Sequence, residues 1–274
     1  MRSSSTTPAQ RLTHDGQRKI APAFISAGEI AVAVHTSPNL VAIERLWLGD
    51  GSRERLHPTL SAHQFDPAFS RDGRFHAFCL SSTSPQLVLV IQDLVEKREH
   101  VFRPREARAT ARCPTFSHDG SRVAFSMSDV SGHQIASVNR EGGDLRLLTN
   151  SPGLNISPAF SPDGRQIAFS SSRGGDFEIY LMDADGGQIR QLTHSPGLDT
   201  RPAWSRDGER IAFTSNRDGH YQIYVMNVDG SGTRRLGDQR GRLDYASWYP
   251  DGEHLLAVSE AGGKSDLYLF DVLL

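Results

Sequence analysis

The chain has 274 residues, 37% of them hydrophobic, with 30 Lys plus Arg against 32 Asp plus Glu and a net charge of −2. That balance leaves no surplus of positive charge for gripping a phosphate backbone, so nucleic acid is excluded as a general partner. The longest aliphatic runs, Ile30 to Val34 and Leu87 to Ile91, are five residues long, far short of the roughly 20 needed for a membrane-spanning helix.

From the N-terminus, Met1 to Pro8 lacks the apolar stretch of a secretory leader, so the chain as written reads as cytoplasmic, or as periplasmic if a leader precedes it. Gln10-Arg11-Leu12-Thr13-His14 follows, and it resembles Arg190-Gln191-Leu192-Thr193-His194 far downstream. Next comes Ala21-Pro22-Ala23-Phe24-Ile25-Ser26-Ala27-Gly28, the first of six copies of one segment. The others are Asp66 to Gly73, Cys113 to Gly120, Ser157 to Gly164, Arg201 to Gly208 and Tyr245 to Gly252. Their proline positions fall at 22, 67, 114, 158, 202 and, as Ala, 246, in steps of 45, 47, 44, 44 and 44. Within every copy the aromatic stands two residues after that position and the Gly six after it.

Each copy opens a unit of four short strands. The Pro-Ala-aromatic segment forms the first, and Asp-Gly turns the chain because Gly accepts a positive φ. An apolar second strand such as Ile167-Ala168-Phe169 follows, then a polar turn, then Glu178-Ile179-Tyr180-Leu181-Met182. Asp185-Gly186-Gly187 leads to a fourth strand ending in Arg190-Gln191-Leu192-Thr193. About 45 residues holding four strands and no helix make one blade of a propeller. The predicted fold is therefore all-β: a six-bladed β-propeller of four-stranded antiparallel blades in one domain, 1–274, with blades at about 20–61, 62–106, 107–150, 151–194, 195–237 and 238–274 plus 8–14. The last repeat stops at Leu274 without a fourth strand, so the N-terminal segment is expected to join it and close the ring, removing an exposed sheet edge.

The segment Ser161-Pro162-Asp163-Gly164-Arg165-Gln166-Ile167-Ala168-Phe169, continued by Ser172-Arg173, Ile179-Tyr180, Met182-Asp183, Gly186-Gly187 and Arg190-Gln191-Leu192-Thr193, resembles the TolB-type β-propeller family. The resemblance is strongest over 113–236 and spans about 20–274. Members of that family bind partner proteins of an envelope assembly at the mouth of the propeller channel. The resemblance therefore implies a non-catalytic, monomeric scaffold for a protein or peptide partner. No α/β domain of the kind that accompanies the family's periplasmic protein is legible in the sequence. Similar repeats form gating domains of prolyl-oligopeptidase-like peptidases, but no hydrolase domain is legible either.

First strands lie nearest the axis, so residues just before the proline position are expected at the channel mouth. Asp66, Asn155, Asp199, Arg201, Asp244 and Tyr245 are the candidate ligand-binding residues. Their carboxylates, guanidinium and phenol suit a peptide, a sugar or a hard cation such as calcium, although no cofactor is required. The Asp of each Asp-Gly turn is assigned to turn chemistry. Phe24, Phe69, Phe116, Phe160, Trp204 and Trp248 are assigned to packing between sheets. Arg173 and Arg217, with Asp176 and Asp218 nearby, are expected to make local bonds between turns. Cys79 and Cys113 are expected to be buried, inert thiols. An alternative from another class is a hydrolase or lyase with a His/carboxylate or metal site in the funnel. No His falls in the ring positions, and neither His-Glu-x-x-His nor Gly-x-Ser-x-Gly occurs.

Overall fold

A computed structural model describes residues 9–81, 86–106, 108–129, 132–237 and 241–272. Pro8 of the expected closing segment, the ends of the 1–274 unit and the start of the last predicted blade, 238–240, lie outside the described residues. All regular structure among them is strand, and no helix is long and apolar enough to cross a membrane.

A two-residue strand, β1 (Gln10–Arg11), precedes six successive sets of strands. The first set is β2 (Lys19–Ser26), β3 (Glu29–Ser37), β4 (Leu40–Trp47) and β5 (Arg53–Arg55); the second is β6 (Gln64–Phe69), β7 (Phe75–Ser81), β8 (Leu87–Asp93) and β9 (Arg98–Phe102). The third comprises β10 (Thr110–Phe116), β11 (Arg122–Asp129), β12 (Gly132–Asn139) and β13 (Arg146–Leu147); the fourth, β14 (Asn155–Phe160), β15 (Gln166–Ser171), β16 (Glu178–Asp183) and β17 (Arg190–Gln191). The fifth is β18 (Asp199–Trp204), β19 (Arg210–Ser215), β20 (Gln222–Asn227) and β21 (Arg234–Arg235), and β22 (Arg242–Trp248), β23 (His254–Ala261) and β24 (Lys264–Asp271) follow.

Within each set the strands pair antiparallel in chain order, as short turns dictate. Four sheets have four strands, and the fifth has eight because one parallel pairing, Thr110 with Leu87, bridges the second and third sets. β1 completes the last sheet by pairing antiparallel with β24, Gln10 opposite Leu269 and Arg11 opposite Tyr268. Each innermost strand contacts the next, from β2 through β6, β10, β14 and β18 to β22, and β22 contacts β2.

Hydrophobic burial is divided rather than central. Six clusters each span the junction between two neighbouring sets of strands, for example Ile167, Phe169 and Tyr180 with Ala124, Ile135 and Leu148. A sheet with two apolar faces must cover both, and here each neighbour covers one. Each of the six repeat aromatics belongs to or packs against a different cluster.

The local bonds at β1 repeat those of the inner blades. Thr149 and Thr193, at equivalent positions, accept the backbone N–H of Ile135 and Ile179 at 2.8 and 2.9 Å, and their hydroxyls donate to Gln134 and Glu178. Thr13 does the same in the last sheet: it accepts the Leu267 N–H at 3.0 Å and donates to Asp266 at 2.8 Å. Residues 134, 178 and 266 fall on the 44-residue period. Asp266 also accepts Arg11 at 2.6 Å and lies 3.8 Å from the Lys19 ammonium, which is itself buried with a carbonyl partner at Ser265.

The Asp-Gly turns follow the sequence expectation where the motif is intact. Gly73, Gly120, Gly164, Gly208 and Gly252 have φ between 66° and 78°, while Asp72, Asp119 and Asp163 each accept a serine hydroxyl two residues back at 2.6 Å. The worn first copy departs from this: Ser26 pairs with Glu29 across Ala27-Gly28, and Gly28 has no positive φ.

Candidate functional site

Every innermost strand carries the same irregularity. Its register slips at the proline position, and the residue just before it adopts a left-handed backbone: Ala21, Asp66, Cys113, Ser157, Arg201 and Tyr245, with φ between 49° and 57°. For non-glycine residues that conformation costs roughly 1–2 kcal/mol each, and a following proline disfavours it further. Backbone bonds to the preceding blade hold three of the bulges in place. Ser126 Oγ accepts the Ser157 N–H at 2.8 Å, Ser170 Oγ accepts that of Arg201 at 3.0 Å, and Asp66 accepts that of Cys113 at 3.0 Å.

These six residues, with the five prolines and Ala246 that follow them, line a cavity of about 180 Å³. Of the candidates from sequence, Asp66, Arg201 and Tyr245 are in this ring. Asp66 is held by Arg112 of the next blade at 2.5 and 3.2 Å, and that guanidinium lies 5.2 Å from the centre of the Phe65 ring. Burial opposes the charge on Arg112, but Asp66 raises its pKa above the ordinary value. Arg201 lies over the Tyr245 ring at 4.4 Å and bonds Asp244 at 3.2 Å. Burial pushes the Tyr245 phenol up, against the pull of Arg201, so the mouth presents a neutral hydroxyl there.

Asp244, Asn155 and Asp199 stand one or two residues earlier and are buried in the wall behind the mouth. Asp244 accepts Arg242 at 2.7 Å, the Thr214 hydroxyl at 3.0 Å and the Tyr245 N–H at 2.9 Å. Asn155 bonds Gln134 at 3.0 Å and accepts Arg173 at 2.9 Å. Asp199 accepts Arg217 at 2.7 Å and the Ser195 hydroxyl at 3.1 Å, leaving its Oδ1 buried without a partner. Beside it, burial pushes the Glu178 carboxyl up to about 7, opposed by the Thr193 hydrogen bond and reinforced by the charge on Asp199. At the equivalent junction one repeat earlier, Gln134 and Asn155 are both amides. An acid pair has taken the place of an amide pair.

Two expectations need correction, those for the turn arginines and for Cys113. Arg173 and Arg217 bond neither Asp176 nor Asp218; each reaches the innermost strand of its own blade and lies over Tyr180 or Tyr224 at 4.9 and 4.6 Å. Asp218 instead accepts the Tyr224 hydroxyl. Cys79 is buried, but Cys113 is partly exposed and lines the mouth, where burial raises its thiol to about 11 and keeps it protonated. Among the repeat aromatics, only Phe116 and Trp248 are buried; all six present an edge or face to a second, larger cavity of about 500 Å³ at the other end of the inner strands. Cys113 and Ser157 were legible as mouth residues, since the same offset from proline that gives Asp66 and Arg201 gives both.

Comparison with known proteins comes from two directions. A family model described as the TolB beta propeller domain matches residues 105–273. Among solved structures, a protein assigned as TolB from Agrobacterium tumefaciens superposes with a TM-score of 0.73 at 22% identity, over 94% of this chain and 91% of that one. TolB from Acinetobacter baumannii gives 0.73 at 21% identity, over 89% of this chain and 64% of that one. An oligogalacturonate lyase from Vibrio parahaemolyticus gives 0.64 at 15% identity, over 99% and 95%. These structural likenesses establish the fold alone. No curated protein matches the sequence.

Proposed function

The chain belongs to the TolB β-propeller domain family, and from that premise we propose that it is a non-catalytic, monomeric binding scaffold that recognises an extended segment of a partner protein at the polar mouth. In this reading 1–274 is one domain, a ring of six blades closed by the pairing of β1 with β24. The observation that carries the reading is the six-fold set of left-handed residues before the prolines. Strain held at equivalent positions around one opening fixes the side chains that face a ligand before it arrives. Arg201, backed by Asp244 and Tyr245, offers its remaining donors to a carbonyl or carboxylate, and the Ser157 hydroxyl donates or accepts. An opening of this size suits a peptide strand better than a globular surface.

The alternative, a hydrolase or lyase, draws on the likeness to oligogalacturonate lyase, one structure of which is a manganese complex. Among the described residues, no three His, Cys, Asp or Glu side chains come together as a metal donor set. Asp66 and Asp244 each already bind guanidinium groups, which leaves a calcium ion few oxygen ligands, so the residues present do not fit a channel metal. The scaffold reading therefore needs no cofactor.

Selection of a random 12-residue peptide library on the immobilised protein tests the proposal. One enriched motif is expected, bound at least about tenfold more weakly by Arg201→Gln and Ser157→Trp. Failure to enrich any motif, or equal binding by both variants, would refute it.

A further inference from the structure

The second cavity differs chemically from the mouth. Phe24, Phe69, Phe116, Phe160, Trp204 and Trp248 line it, one from each repeat. Both indole N–H groups are occupied, Trp204 by the Ala159 carbonyl and Trp248 by the Ala203 carbonyl, each at 3.0 Å. The rings therefore offer only faces and C–H edges to whatever enters. Around them, Arg71, His118 and Arg206 belong to the lining and no carboxylate does. The nearby turn residues Asp72 and Asp119 are engaged by Ser70 and Ser117 and by backbone N–H groups of their own hairpins. Asp207 is held in the same manner by Ser205 and the Glu209 N–H.

Arg71 and Arg206 differ from the arginines that bind Asp66, Asp199 and Asp244. Arg112, Arg201, Arg217 and Arg242 each bind a carboxylate. Among the described residues, Arg71 donates to the Pro162 carbonyl at 3.2 Å and Arg206 to the Pro250 carbonyl at 3.0 Å, and neither meets a carboxylate. Each uses one terminal nitrogen, so the edge formed by the others remains open for a bidentate carboxylate.

We propose that this aromatic chamber is a binding site for a small amphipathic carboxylate, whose apolar or aromatic body sits among the six rings and whose single negative charge is held by the open guanidinium edge of Arg71 or of Arg206. The volume accommodates a bicyclic ring system, and a mostly apolar pocket with a few convergent polar groups is the usual form of a small-molecule site. A free organic acid and a peptide C-terminus bearing an aromatic side chain share this chemistry. The site is independent of the polar mouth, and its occupancy neither requires nor excludes a partner there.

The test is calorimetric titration of the full chain with 2-naphthoate, 2-naphthamide and 2-naphthylmethylammonium, together with N-acetyl-alanyl-phenylalanine and its C-terminal amide. Saturable binding of at least one carboxylate is expected, about tenfold or more tighter than its uncharged or cationic counterpart. Preference for 2-naphthoate identifies a free acid as the natural class, and preference for the dipeptide identifies a chain terminus. The indole N–H resonances of Trp204 and Trp248 should shift on binding. Arg71→Gln/Arg206→Gln should weaken it about tenfold while leaving the unfolding midpoint within about 2 °C, since both substitutions are at the surface. The proposal is overturned if no carboxylate binds at millimolar concentration, if charge makes no difference, if the double variant binds equally, or if the indole resonances do not move.

Discussion

The two ends of the inner strands use charge in opposite ways. At the mouth, Asp66 is locked by Arg112, and Arg201 by Asp244 and Tyr245, so the visible charges are largely internal structure. At the aromatic end, Arg71 and Arg206 donate to carbonyls and, among the described residues, meet no carboxylate. A census of charged residues would rank the mouth first for ligand recognition, yet the more available charge lies opposite. Whether a charge is available depends on its partners, which come from neighbouring blades about 44 residues away.

This contrast can be broken in graded steps. The largest effect belongs to neither end but to the junction both depend on. Removing the Asp266 carboxylate (Asp266→Ala) takes the acceptor from Thr13 and Arg11, while the buried Lys19 ammonium keeps Asp15 and the Gln17 and Ser265 carbonyls; the two lost acceptors should lower stability by about 3–4 kcal/mol in chemical denaturation. A loss under about 1 kcal/mol would mean that β1 contributes little to the last sheet. At the mouth, Asp66→Ala leaves Arg112 and the Cys113 N–H without their acceptor; because Arg112 is partly exposed, the expected loss is about 2–3 kcal/mol. At the aromatic end, Arg206→Ala should stay within about 0.5 kcal/mol. Equal losses at the two ends would erase the distinction between locked and available charge.

Behind the mouth, Glu178 sharpens the contrast through pH. Its folded-state pKa, about 7, lies above the ordinary glutamate value, so the folded protein binds this proton more tightly than the unfolded chain does. The stability it contributes is complete below about pH 4.5 and is lost as pH rises through about 7. Glu178→Gln should remove on the order of 2 kcal/mol of that decline, measured as the change in unfolding free energy between pH 5 and pH 8. Glutamine fits the position, since Gln134 and Gln222 occupy it in the flanking repeats. An identical pH slope in the variant would show that burial beside Asp199 does not hold the Glu178 proton in the folded chain. The smallest effect concerns backbone strain: Ser157→Gly should stabilise the protein by about 0.5–1 kcal/mol, the left-handed cost less the added chain entropy. A loss of stability would mean that the serine hydroxyl matters more than the φ.

Much of this was legible before any coordinates. The proline-aromatic-Gly spacing identified the repeat, and the likeness of Gln10 to His14 with Arg190 to His194 anticipated that β1 would take the place of a fourth strand. The mouth was legible only in part, because the candidates were drawn from three different offsets before the proline. Asn155 and Asp199 lie in the buried wall, whereas Cys113 and Ser157, at the same offset as Asp66, line the opening. The aromatics were rightly placed at blade junctions, but periodicity could not indicate that their inward sides enclose a chamber.

The repeat, the strand order within each unit and the turns that join them follow from the sequence alone, because each depends on residues within a few positions of one another and on the conformational range of glycine and proline. Partnership was decided in three dimensions. Asp66 with Arg112, Glu178 with Asp199, Thr13 with Asp266, and the absence of a carboxylate beside Arg71 and Arg206 all depend on which side chains the assembled strands bring within bonding distance. One linear period contains no record of that meeting, since short-range forces act between neighbours in space.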